Sequence, residues 1–322
     1  MSRSLAEILL EAAEKRRAMA GPETTAYRLL NAEADGVPGV TIDWFDGVAV
    51  ANLYDAPSMT SRLADALEAS LHPVALYIKR RPRDAARLSE ADRRTAAPIA
   101  PILGEPIGER IVTENGLRFA IRPAQGLAVG LYLDMRDTRA WVRHQAKGKR
   151  VLNCFAYTCG FAVAALAGGA ERVINVDLSR SSLEWGSENS RLNGQRVSRE
   201  DYLPGEVFDW LARFERKAQR FEMVILDPPS FATARQRSFS AARDWASLIE
   251  RACGVLQPGG VLVACCNQLS LTRPRFERLV TRGFANSRRR ARVIARLGPP
   301  GIDFPVAPGK TAGLKVLAYE VR

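Results

Sequence analysis

Apolar residues recur at helical spacing from Ser4 to about Met19, where Leu5, Ile8, Leu9, Ala12 and Ala13 share one face. Ser4 and Glu7 stand at the spacing of a capping box. Arg28–Leu30 and the run Val40–Tyr54 read as β-structure, turned at Gly36–Gly39 and at Asp46–Gly47. A helix over Thr60–Leu71 and a short strand, Ala75–Lys79, complete a small α+β unit ending near residue 95. The three prolines of Ala96–Pro106 read as a linker. Gly108–Pro123 alternates as a hairpin does, with Asn115–Gly116 at its turn.

From Lys149 the pattern changes. A strand-like KRVLNCF precedes helical AVAALAGG, then strand RVINVD and helix RSSLEWGSENSRLNG, which stops at Gly194. VFDWLARFERKA (helix), FEMVILD (strand), ARDWASLIERACGVL (helix), GGVLVACCN (strand) and RPRFERLVTRGF (helix) follow. Alternation of this kind predicts βαβ units, hence an α/β fold with a parallel sheet and helices on both faces. The expected domains are 1–95, a linker at 96–106, and 107–322 holding the hairpin and the α/β domain.

At 322 residues, 47% hydrophobic and 25% charged, the chain can bury sizeable cores and is not disordered throughout. No stretch is apolar over about 18 residues, so no membrane partner is expected. The opening MSRSLAEILLEAAEKRR carries acids and is not read as a signal peptide, so the chain is expected in the cytoplasm. Two histidines and five cysteines without ligand spacing supply neither a metal site nor a Ser–His–Asp triad. Net charge is +12, and twelve Lys/Arg against three Asp/Glu lie from Arg273 onward. Such clustering points to a polyanion, most simply RNA, with Arg288, Arg289, Arg290 and Arg292 as the densest run. A merely solvated basic surface is the alternative.

Ligands of open parallel sheets bind outside the carboxyl ends of the strands. The first such end is NCFAYTCGF (Asn153–Phe161), where Gly160 lets backbone approach a ligand at a helix N-terminus. It is not GxGxxG, which weighs against a dehydrogenase. The second strand ends in Asp177, a carboxylate suited to a ribose diol or, alternatively, to capping the helix before Ser179. A later strand ends in DPPSF (Asp227–Phe231). Its prolines stiffen a turn whose carbonyls can accept a base's amino protons while Phe231 stacks, or it is simply a rigid turn. Another ends in CCNQLS, where Cys265 or Cys266 offers a thiolate for cytosine-C5 chemistry, or both are buried as small hydrophobes.

At these residues the sequence resembles the S-adenosylmethionine-dependent methyltransferases of large-subunit ribosomal RNA, the group that holds cytosine-C5 and guanine-N7 enzymes. The resemblance runs from about Tyr27 to the C-terminus. It rests on VPGVTID (Val37–Asp43), GLYLDMRDTR (Gly130–Arg139), LNCFAYTCGF, VDLSRSSLEW (Val176–Trp185), RLNG (Arg191–Gly194), DPPSF and DFPVAPGKTAGLKVLAYEV. It implies a Rossmann-like domain with a mostly parallel seven-stranded sheet, a smaller N-terminal α+β domain, and S-adenosylmethionine as cofactor. Asn153, Phe155, Tyr157, Thr158, Gly160 and Phe161 match the glycine-loop motif. Asp177 matches the ribose-binding acid, with Leu178 beside adenine and Ser179 next to it. Glu206, followed by Val207, falls where the family usually has Asp for the adenine amino group. Asp227, Pro228, Pro229, Ser230 and Phe231 match the catalytic turn.

Three departures are visible. The chain opens with the helix at Ser4, so the small RNA-binding module that usually opens cytosine-C5 members is expected to be missing. Asn267 occupies the position of their nucleophilic cysteine, one residue after Cys266. Cys159 stands where family members usually have Gly. The expected activity is therefore methylation of a base of 23S ribosomal RNA without a covalent nucleophile, as at guanine N7. Cytosine-C5 chemistry, or a low-turnover RNA-binding assembly factor of the same fold, are the alternatives.

Overall fold

The computed structural model describes residues 3–54, 56–81, 92, 95–229, 231–233 and 238–322; residues 57, 231–233 and 238–243 are described by backbone alone. The chain forms two compact units: Met1–Asp134 with Pro300–Thr311, and Met135–Pro299 with Ala312–Arg322.

In the first unit, α1 (Leu5–Arg16) starts at the expected capping box, with the Glu7 N–H donating to Ser4 Oγ at 3.2 Å. Strands β1 (Ala26–Asn31), β2 (Val40–Phe45), β3 (Val48–Leu53), β4 (Ala75–Arg80) and the two-residue β5 (Leu103–Gly104) make one sheet in that order. Helix α2 (Thr60–Ser70) lies between β3 and β4 in sequence. Alternate residues Val40, Ile42, Ala49, Ala51, Leu76 and Ile78 form a core with Leu9, Leu63 and Leu67 of the helices. The intervening positions carry a buried polar row, Thr41, Asn52 and Lys79, in register across β2, β3 and β4.

Strands β6 (Arg110–Glu114) and β7 (Leu117–Ile121) form the expected hairpin, but it belongs to this first unit, not to the α/β domain. The reason is bonding to the N-terminal chain. Thr25 N–H donates to Thr113 O at 3.0 Å, and Gly116 N–H to Glu23 O at 2.8 Å. Residues 300–311 join the same unit because Asp303 accepts the Arg28 N–H at 3.1 Å and Pro305 O accepts from Asn31 at 2.8 Å.

The second unit is the α/β domain. Its elements are α3 (Arg136–Gln145), β8 (Arg150–Cys154), α4 (Gly160–Ala167), β9 (Arg172–Asp177), α5 (Arg180–Leu192), β10 (Tyr202–Pro204), α6 (Val207–Arg216) and β11 (Phe221–Leu226). Two short antiparallel strands follow, β12 (Phe231–Thr233) and β13 (Ser238–Ser240). Then come α7 (Ala241–Val255), β14 (Leu256–Cys266), α8 (Arg273–Asn286), β15 (Ala291–Leu297) and β16 (Lys315–Val321). The sheet order is β10-β9-β8-β11-β14-β16-β15. Neighbours are parallel from β10 to β14, and β16 runs antiparallel to both β14 and β15.

Both faces are buried, as the continuous apolar strands require. On β11, Val224 and Leu226 pack with Leu211, Trp245, Leu248, Phe276 and Val280, from α6, α7 and α8. Met223 and Ile225 pack on the other face with Val142, Phe161 and Leu183, from α3, α4 and α5. The order reverses between β8 and β11, so the switch point that favours ligands lies at their carboxyl ends. Among the described residues no helix is long and apolar enough to cross a membrane, and no group of metal-ligating side chains forms.

Candidate active site

The loop after β8 is built from residues that rarely adopt its backbone. Phe155, Tyr157 and Cys159 have φ of 59°, 46° and 59°, all left-handed and none glycine. Each such residue carries strain on the order of 1 kcal/mol or more, so the surroundings must hold the loop. They do so from two elements. Ala156 N–H donates to Val176 O at 3.0 Å and Tyr157 N–H to Asp177 Oδ2 at 2.8 Å, both on β9. Asn189 of α5 donates to Thr158 O at 3.0 Å. Cys159 is fully buried, and it fits because α5 has Gly186 opposite: a Cβ there would overlap its Sγ and come within 2.7 Å of its Cβ. The cysteine at the usual glycine position is thus matched by a glycine on the next helix.

Asp177 sits at the β9 tip. Its second oxygen accepts the Ser179 N–H at 2.8 Å. Burial pushes its carboxyl up, against the two N–H donors that pull it down. The helix cap that Asp177 offered from sequence falls to Ser179, whose Oγ accepts the Ser182 N–H at 3.1 Å. Each Asp177 oxygen has one backbone partner and keeps acceptor capacity. Beside it Leu178 is a large apolar side chain left 51% exposed. Helix α4 starts at Gly160 with no side-chain cap, so its first N–H groups stay open. A carboxylate for a diol, an apolar platform for a flat ring, and open N–H groups match the chemistry of S-adenosylmethionine.

Other expected contacts sit differently. Asn153 is fully buried between strands, donating to Asn175 Oδ1 at 2.9 Å, with its own Oδ1 buried and unbonded. Thr158 and Phe161 are buried as well. Glu206 caps α6, accepting the Phe208 N–H at 3.0 Å, and the Val207 side chain lies in the core. The other Glu206 oxygen is a further acceptor.

Asp227 follows the last residue of β11, with Pro228 buried and Pro229 exposed. Ser230 lies outside the described residues; Phe231 opens β12, and its side chain lies outside them too. One strand over, Cys265 and Cys266 are 0% and 2% exposed and belong to cores on opposite faces of the sheet. Burial, then the Asp227 charge, push the Cys266 thiol up against the lowering effect of Lys315. The next residue, Asn267, is exposed at the strand tip.

The sequence reading missed the groups beneath this tip. Gln268 Oε1 and Arg273 Nη1 are buried and without hydrogen bonds, and Lys315 is 4% exposed. Arg136, Thr138 and Arg139 of α3 are also buried, inside the GLYLDMRDTR stretch taken only as a family anchor. Charge inside an apolar run, as in GLKVLAYEV, was the available signal.

The arginine run divides. Arg289 donates to the carbonyls of Arg322 at 3.1 Å, Gln257 at 3.4 Å and Cys253 at 3.5 Å, so it ties α7, β14 and the C-terminus together. Arg292 pairs with Glu320 at 2.7 Å. Arg288 and Arg290 are exposed.

Known proteins similar to this chain are methyltransferases. The ribosomal RNA large subunit methyltransferase I of Aeromonas salmonicida is 32% identical over 92% of this chain and 74% of its own. That of Tolumonas auensis is 33% identical over 93% and 75%. The crystal structure of SMU.776 complexed with SAH superposes with a TM-score of 0.89 at 26% identity, over 99% of this chain and 83% of that one. The sequence model of the S-adenosylmethionine-dependent methyltransferases matches residues 33–320, and the chain belongs to that family.

Proposed function

We propose that this methyltransferase modifies a base of large-subunit ribosomal RNA, and that it transfers the methyl group directly, as to guanine N7, without a covalent protein–base bond. The observation that carries the reading is the pairing at the β14 tip: both cysteines buried, Asn267 exposed, Asp227 alongside. A cytosine ring must be attacked by a thiolate before its C5 reacts. A thiol enclosed in the core, with its pKa raised, is a poor source of one. Guanine N7 already carries a lone pair and loses no proton on methylation, so alignment and exclusion of water suffice.

In this reading Asp177, Leu178, Glu206 and the Phe155–Phe161 loop, with Ser179 as the cap that holds the turn, bind the cofactor. Bound there, S-adenosylmethionine supplies a methyl group on a sulfonium that leaves with its bonding electrons. The Asp227-Pro-Pro turn presents fixed acceptors to the base, and the Asn267 amide can both donate and accept at a base edge. The relatives named for ribosomal RNA and the chain's net charge of +12 support an RNA partner, and a cytoplasmic location accords with it. The N-terminal unit is proposed as an accessory RNA-binding domain. Transfer of labelled methyl to deproteinised ribosomal RNA and to ribosomal particles, followed by nucleoside analysis, is the test. Label in 7-methylguanosine is expected; label in 5-methylcytidine would overturn the direct-transfer reading.

A further inference from the structure

Lys315 is a buried cation that the cofactor and base contacts above leave unused. It opens β16, 4% exposed, in register opposite Cys266, the last residue of β14. Its Nζ donates to Gln268 O at 2.7 Å. The same carbonyl takes the Leu271 N–H at 3.2 Å, closing the turn that leads into α8. Asn267 lies between the two residues Lys315 holds, Cys266 through the ladder and Gln268 through the ammonium.

An ammonium at this depth is unfavourable unless its hydrogen bond does something an apolar side chain cannot. Every other residue of β16 except Glu320 is apolar, so the strand itself does not need a cation. The neighbouring Arg273 adds like-charge repulsion, and with burial it lowers the Lys315 pKa. The Asp227 carboxylate adds a negative charge near this strand end, beside the neutral Cys266 thiol. What Lys315 contributes is a charged donor on the carbonyl at which the chain leaves the sheet.

We infer that Lys315 is a positioning residue for methyl transfer: it grips the chain on both sides of Asn267 and fixes that side chain beside the Asp227 turn. The inference rests on the reading of Asn267 as a base contact. Side chains displaced by about 1 Å can slow a reaction by about 100-fold, which sets the scale of the expected effect.

The test is single-turnover transfer by the full-length protein to ribosomal RNA, with cofactor and RNA both saturating. Lys315→Met should slow transfer by up to about 100-fold. S-adenosylmethionine affinity, read by calorimetry, should stay unchanged, and Lys315→Arg should recover most of the rate. Lys315→Met should add little to Asn267→Ala, because both remove the same contact. A purely structural lysine would lower the melting temperature and leave the rate of the folded fraction at the wild-type value. That outcome, or losses that multiply in the double variant, would overturn the inference. If Asn267→Ala alone transfers at the wild-type rate, the reading of Asn267 fails instead. Should Lys315→Met not fold, Lys315→Gln, which keeps a donor without the charge, takes its place in the same cycle.

Discussion

The two units bury polar groups to different ends. In the N-terminal unit two fully buried cations are matched by acceptors. Arg16 meets both oxygens of Asp35, at 3.0 and 2.6 Å, and Lys79 donates to Pro123 O at 2.7 Å. Asn52 links Asp43 and Arg81 in the same layer. In the methyltransferase unit the carboxyl ends of the strands hold buried atoms without hydrogen bonds, Asn153 Oδ1 and Gln268 Oε1, beside three left-handed non-glycine residues. A saturated network specifies packing. At the end of β8 strain and unmet hydrogen-bonding capacity stand side by side, as they do where a protein holds a ligand.

The strongest way to break this contrast is at the strained loop. Gly186→Ala puts a methyl group against Cys159 and within 3.1 Å of the Thr158 carbonyl carbon. Overpacking of this kind destabilises by about 1–3 kcal/mol, and here it should also displace the cofactor loop. Thermal unfolding and calorimetry should show both losses, and Cys159→Gly in the same chain should restore part of each. A Gly186→Ala variant with normal cofactor affinity would mean that the loop does not depend on this fit.

Asp177→Ala should weaken S-adenosylmethionine binding by about 1–3 kcal/mol, the scale of losing hydrogen bonds to a charged group. Burial raises the carboxyl's pKa, so wild-type affinity should fall as pH drops through a value above that of an ordinary aspartate. Asp177→Asn should flatten that pH profile in titration calorimetry. Identical profiles would remove Asp177 from the diol.

The N-terminal network has its own pH signature. Burial, helped by Arg81, lowers the Lys79 pKa from 10.5 to about 8. The unfolded chain therefore binds more protons than the folded one between these values, and stability gains with rising pH across that window. Relative to Lys79→Met, the wild type should gain on the order of 2 kcal/mol from pH 8 to pH 10.5 in denaturant titrations. Parallel stability curves would show that Lys79 does not titrate as its burial implies.

The smallest effect separates the arginines. Removing Arg288 and Arg290 together should reduce the salt slope of RNA binding by about 1–2 and leave cofactor affinity alone. Arg289→Ala should instead lower the melting temperature, because three carbonyls lose their donor. An unchanged slope in the double variant would make those two arginines a solvated surface.

How far the sequence carried the account follows from the range of the interactions. β8, β9, β11 and β14 are local apolar runs, and Asp177 and Asp227 fall where those runs stop, so sheet and strand-tip acids were legible. The assignment of the hairpin and of residues 300–311 was not. It depends on bonds between residues 88 apart, Thr25 and Thr113, and 275 apart, Arg28 and Asp303. Asn153 matched a cofactor motif, yet register with Asn175 turns it into the sheet. Glu206 matched another, and the N–H groups of α6 occupy one of its oxygens. Lys315 was visible only as a charge in an apolar strand, since its acceptor depends on how β14 and β16 align.

The central claim is that the β14 tip works through Asn267 and not through a cysteine. Single-turnover methyl transfer by Cys265→Ser, Cys266→Ser and Asn267→Ala, on one ribosomal RNA substrate, tests it most directly. A serine hydroxyl cannot replace a thiolate nucleophile, whereas it replaces a buried thiol at the modest penalty of a packing change. Both cysteine variants should keep most of the wild-type rate, and Asn267→Ala should be the slowest of the three. Abolished transfer in either cysteine variant, with normal folding and cofactor binding, would contradict the account.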